Sequence, residues 1–82
     1  MKIEELIPLT NGLSVTACGQ TLVCDRTRIR SVNDYAVDIK FWIAGTDYVP
    51  GLRLTRERLL KATADEVVKI VRRVVRGAVA CK

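Results

Sequence analysis

The 82-residue chain contains no histidine. That absence removes the side chain that most often shuttles protons near neutral pH and most often binds transition metals. It also leaves Cys18, Cys24 and Cys81 without the partner that a Cys–His nucleophile or a mixed zinc site requires. The cysteines are odd in number and show no CxxC spacing, so they read as reduced, partly buried small hydrophobes. Neither common glycine-rich phosphate-loop spacing occurs. No apolar run approaches the ~20 residues needed to span a bilayer. Near the N-terminus, Glu4, Glu5 and Pro8 interrupt Ile3, Leu6, Ile7 and Leu9, which is not the core of a signal peptide. A cytoplasmic setting is the expectation, with no membrane partner.

The carboxylates suggest no catalysis either. Asp65 and Glu66 suit a helix start, Asp34 a turn and Asp38 an ion pair. Asp25 and Asp47 stay unassigned and make a poor general acid/base pair. The chain therefore reads as a non-enzyme, with no catalytic residue, metal site, cofactor or small-molecule substrate.

What is present is an ordinary globular composition, 49% hydrophobic and 28% charged, expected to form a single domain over residues 1–82. Fourteen Lys and Arg against nine Asp and Glu give a net charge of +5. Such an excess favours an acidic partner: nucleic acid, an acidic protein surface or anionic lipid.

Residues 1–10 are a lead-in in which Ile3, Leu6 and Ile7 fit one helical turn stopped by Pro8, and Asn11-Gly12 marks a turn. Leu13, Val15 and Ala17 then alternate with Ser14, Thr16 and Cys18, the period of a half-buried strand. After Gly19-Gln20, residues 21–30 read as a second strand. Beyond the polar turn Ser31–Asp34, Tyr35, Val37, Ile39, Phe41 and Ile43 define a third. Gly45–Gly51 reads as a loop. If odd positions are buried throughout, Val23 and Ile29 join the core. The opposite face then carries Ser14, Thr16, Cys18, Leu22, Cys24, Arg26, Arg28, Arg30, Asp38, Lys40 and Trp42, with Asp38 across from one of the arginines.

The rest is helical. Thr63-Ala64-Asp65-Glu66 fits a capping box, and Thr55 is a second possible cap. Residues 56–62 form either a separate short helix or the start of the same one, and Gly77 either ends the helix or weakens it. Val67, Val68, Ile70, Val71, Val74, Val75, Ala78 and Val79 cover one wide face. Valine is a modest helix former, so this helix needs the sheet to pack on. The expected fold is a two-layer α+β domain: a three-stranded antiparallel sheet over 13–44, a helical region over 56–80, and one long C-terminal helix packed on one sheet face.

Two surfaces are candidates for function. Lys69, Arg72, Arg73 and Arg76 recur at i, i+3, i+4 and i+7, a stripe for an anionic partner. A valine- and alanine-rich helix lacks the Trp, Phe and Leu that membrane-surface helices favour. Arg26, Arg28, Arg30, Lys40 and Trp42 form the second surface, unless the N-terminal segment or residues 56–62 cover it. Arginine and tryptophan are enriched at interface hot spots, whereas nucleic-acid-reading sheets usually offer several stacking aromatics, and here Trp42 stands alone. The leading expectation is a small protein-binding module, a regulator, inhibitor or adaptor. It would contact an acidic protein partner, or a second copy in a homodimer, through the arginine/tryptophan face. The alternative is a nucleic-acid-binding protein using that face and the helix stripe.

Overall fold

The computed structural model describes residues 1–79. Ala80, which closes the predicted helical region, and Cys81 lie outside the described residues. A 3-10 turn, Ile3–Glu5, leads into α1 (Leu6–Thr10), followed by β1 (Ser14–Ala17), β2 (Gln20–Ser31), β3 (Ala36–Ile43) and β4 (Gly51–Thr55). Two helices complete the chain, α2 (Arg56–Lys61) and α3 (Ala64–Ala78). The fold is α+β, as expected, but its antiparallel sheet has four strands rather than three, in the order β1-β2-β3-β4.

The extra strand comes from the segment after Pro50. In β4, Leu52 and Leu54 alternate with Gly51, Arg53 and Thr55, and Leu54 is buried opposite Val37. A strand with two apolar positions gives a weak periodic signal, which is why residues 45–51 read as a loop leading only to helix.

The register departs from the odd-positions rule in β2, and two local devices explain it. The β1–β2 hairpin is closed by only two residues, Cys18 and Gly19, with φ of 54° and 73°. Positive φ at both centres is the requirement of a type I′ turn. A two-residue turn pairs odd with even positions, so Val15 faces Leu22. A bulge at Asp25 then restores parity, since Cys24 pairs with Ile43 but Arg26 pairs with Trp42. Leu22 and Cys24 are therefore buried, and Val23 is exposed. Beyond the bulge the odd residues Thr27 and Ile29 turn inward and the arginines outward.

Cys24 is a free thiol whose pKa is pushed up by burial. Cys18 is disulfide-bonded, which corrects its reading as a reduced thiol.

One layer of helices covers the inner sheet face. Val67, Val71 and Val75 of α3 are fully buried, with Phe41, Ile39, Val37 and Val15 among the sheet residues of the same core. The helix is held at its start by Thr63, whose Oγ1 accepts from the Glu66 N–H at 3.3 Å. Thr55 does the same for α2 through the Arg58 N–H at 3.1 Å, so 56–61 is a helix of its own. Gly77 does not end α3, which runs to Ala78. Pro8 does not end α1 either. It falls within the first turn, where a missing N–H is tolerated.

The helix α1 lies on this inner side too. Leu6 is fully buried, and Thr10 Oγ1 donates to the Leu6 carbonyl at 2.7 Å. A hydroxyl has one proton, so the second Thr10 contact, 2.7 Å from Thr27 Oγ1, is one in which Thr27 donates. The pair satisfies both buried hydroxyls and ties α1 to β2. Removing Thr10 strands the Thr27 donor, whereas removing Thr27 leaves the Thr10 bond to Leu6 intact. Thr10→Val is therefore expected to lose about 1–3 kcal/mol of stability and Thr27→Val clearly less, an ordering that urea titration checks. Equal losses would contradict the donor assignment.

Candidate interaction surface

Because α1, α2 and α3 all contribute buried residues to the inner core, with Leu6, Leu59 and Val71 each at most 2% exposed, the outer face of β2, β3 and β4 is left open. The bulge sets what that face carries. Past Asp25 the outward positions of β2 are Arg26, Arg28 and Arg30, all exposed. Their cross-strand partners on β3 are Trp42, Lys40 and Asp38 in that order. Arg53 of β4 pairs in turn with Asp38. The structure thus brings together all five residues predicted for this face, Arg26, Arg28, Arg30, Lys40 and Trp42. It removes Leu22 and Cys24, which are core. Neither the N-terminal segment nor α2 covers the face.

The half-buried Trp42 ring is the apolar group at one end of this surface. The Arg26 guanidinium carbon sits 4.4 Å from the ring centroid and that of Arg28 5.9 Å. Both lie within the ~6 Å range of a cation–π contact. The ring orients two arginines and is itself partly occupied by them, which leaves less of it for stacking on a base.

At the other end, Arg53 grips Asp38 with two bonds, Nε to Oδ1 at 2.7 Å and Nη2 to Oδ2 at 3.1 Å. Sequence reasoning placed an arginine of β2 across from Asp38, and Arg30 does stand there in register. The hydrogen-bonded partner is nevertheless Arg53, a residue the missing fourth strand concealed. The Arg53 hydrogen bond, with the charges of Arg53, Arg30 and Lys40, holds the Asp38 carboxyl below its ordinary pKa. A depressed carboxylate pKa means that the pair contributes stability above the unfolded-state value, about 3.9. That contribution is lost as pH falls through the lower, folded-state value. Asp38→Asn is expected to abolish this acid-limb dependence, as followed by thermal unfolding below pH 4, and an unchanged acid limb would contradict it.

Between these ends the arrangement works against stability. Arg28 lies directly opposite Lys40, and like charges opposed across antiparallel strands are destabilising. The face holds five cations, Arg26, Arg28, Arg30, Lys40 and Arg53, against the single carboxylate of Asp38. No known family, curated protein or solved structure matches this chain. The chemistry of its surfaces is what remains to carry a functional reading.

The helix stripe is the other basic surface. Lys69, Arg73 and Arg76 are exposed and Arg72 is half-buried, on the side of α3 away from Val67, Val71 and Val75. The stripe and the sheet arginines therefore sit on opposite layers, and one flat partner cannot cover both. Arg76 leans over the sheet edge, where its Nε donates to the Thr16 carbonyl of β1 at 3.1 Å. Among the described residues no group of three or more Asp, Glu or Cys is placed to hold a metal ion, and no helix is long and apolar enough to cross a membrane.

Proposed function

We propose that this protein is a non-enzymatic binding module that docks an acidic protein surface on the open face of its sheet. The observation that carries this reading is the opposed pair of Arg28 and Lys40 beside Trp42. A face under selection for stability alone gains nothing from like charges in register. An acidic partner turns that repulsion into attraction, and Trp42 with its two arginines supplies the hot-spot chemistry beside it. Asp38 is already neutralised by Arg53, so it leaves the positive character of the surface intact.

The same argument sharpens the choice of partner. A second copy of this chain would bring the same excess, five cations with only Asp38 among them, against its like, so the face favours a different, acidic protein over a homodimer. The cation-covered Trp42 ring also weighs against single-stranded nucleic acid on this surface, because stacking needs a free aromatic face.

The test uses the tagged protein and host lysate treated with nuclease, comparing wild type with Arg28→Glu. The variant places a carboxylate opposite Lys40, so its stability is expected to hold or rise by roughly 0.2–1 kcal/mol. Capture of an acidic protein by wild type, lost in this well-folded variant, is the expected result. Retention of the same partner by Arg28→Glu would exclude the face.

A further inference from the structure

We infer that the outer side of α3 is a second and separate contact surface, fitted to the phosphodiester backbone of nucleic acid. Lys69, Arg72, Arg73 and Arg76 together line one shallow depression on the helix layer. No carboxylate is interleaved, since the acidic residues of α3, Asp65 and Glu66, are confined to its first turn.

The spacing makes this costly for the helix. Lys69 and Arg73 are like charges at i,i+4, as are Arg72 and Arg76, while Lys69–Arg72 and Arg73–Arg76 meet at i,i+3. Each such pair destabilises a helix, where an alternation of signs would have supported it. The helix dipole favours Arg76 in the last turn, and Asp65 and Glu66 offset Lys69, but neither separates the neighbouring charges of Arg72, Arg73 and Arg76. A polyanion converts all four pairs into favourable ones.

The chemistry of the stripe selects the anion. Its four residues present charge and hydrogen-bond donors with no aromatic or bulky apolar side chain among them. It therefore lacks the anchor of a protein hot spot and the platform for stacking a base. Phosphate contact needs neither, being electrostatic and indifferent to sequence. From Lys69 to Arg76 the helix rises about 10 Å, the length of DNA axis over which one strand presents roughly three phosphates. Three of the four are arginines, which match phosphate oxygens with paired donors. The Arg76 bond to Thr16 steadies that side chain at one end of the row and leaves its Nη donors to spare. The chain would then hold a phosphate backbone on its helix layer, independently of whatever occupies the sheet.

The experiment measures binding of a fluorescein-labelled 20-base-pair DNA duplex of arbitrary sequence by anisotropy. Wild type is compared with Arg73→Glu on the stripe and Arg28→Glu on the sheet, each of which lowers the formal charge by two, from +5 to +3. Charge-matched variants separate a located site from general attraction. Arg73→Glu is expected to weaken binding at least about tenfold, and Arg28→Glu less than about threefold. With up to four phosphate contacts, wild-type affinity should fall by as much as ~150-fold between 50 and 200 mM salt. Lys69→Glu guards against misfolding: it gains opposite-sign pairs with Arg72 and Arg73 but loses those with Asp65 and Glu66, so its melting temperature should change little while DNA affinity falls. Absence of binding at 50 mM salt would overturn the proposal. So would equal losses in the two charge-matched variants, a larger loss in Arg28→Glu, or equally tight binding of poly-glutamate. None of these outcomes depends on the acidic protein partner of the sheet face.

Discussion

Phe41→Ala is expected to remove about 3–5 kcal/mol of stability, the range for emptying an aromatic site in a closed core. Phe41 is fully buried at the middle of β3, opposite Thr27 on β2, in the same core as Val67, Val71 and Val75 of α3. No neighbouring element is free to collapse into the space, because β3 is hydrogen-bonded on both sides. A domain of this length has a total stability of roughly 4–12 kcal/mol, so the loss takes a large share of it. Since each kcal/mol moves the melting temperature of a small domain by about 4–8 °C, a drop of some 12 °C or more should appear in a thermal scan. A drop of only a few degrees would mean that this site is not the centre of the core.

The contrasting case is Trp42, the next residue in sequence and on the other side of the sheet. Trp42→Ala should leave folding nearly unchanged, because the ring packs on Arg26 and Arg28 at the surface and not on the valines of α3. The affinity for the acidic partner should instead fall by about 30-fold or more, the loss of some 2 kcal/mol typical of a hot-spot residue. Part of that loss is indirect. Without the ring the two guanidinium groups lose their common support, and ordering them becomes part of the binding cost. Isothermal titration of wild type and variant with the captured partner, beside matched denaturation curves, separates the two effects. Losses in both quantities together would mean that Trp42 belongs to the fold and not to the interface.

This pairing of neighbours shows what could be read from the sequence and what could not. The alternation from Val37 to Ile43 was strong enough to place Phe41 inside and Trp42 outside, although Tyr35, expected on the buried side, precedes the strand and is 79% exposed. The valine face of α3 and the Thr63 cap were equally plain, because helical periodicity and capping are local. Parity across the hairpins was not local. A Cys-Gly pair is a poor advertisement for a type I′ turn, where Asn-Gly would have announced one. No glycine marks the bulge at Asp25, so nothing in the segment declares that Leu22 and Cys24 face inward while Arg26 and Arg28 face outward. The two unseen features cancel, which is why the arginines were placed correctly although the residues before them were not. β4 was hidden for a different reason. Its single buried leucine takes its meaning from Val37 across the ladder, and Arg53 joined the surface only when that pairing was seen.

The bulge also explains how the fold serves the surface. Without the extra residue, Cys24 would set the phase for the whole of β2 and drive the arginine positions into the core. With it, one strand contributes apolar side chains to the core near its start and a row of arginines to the open face further on. On the proposed reading, the like-charge pairs on both layers, Arg28 with Lys40 on the sheet and the four cations of α3, are stability given up for binding.

The most direct test of the central claim uses the chain's own probe. Trp42 is its only tryptophan and lies within the proposed interface, so its fluorescence reports that face alone. Titration with the captured acidic partner should shift and saturate the Trp42 emission, after correction for tryptophans of the partner, with a midpoint that matches the calorimetric affinity. Full binding by calorimetry with an unaltered Trp42 emission would contradict the account and place the partner elsewhere on the molecule.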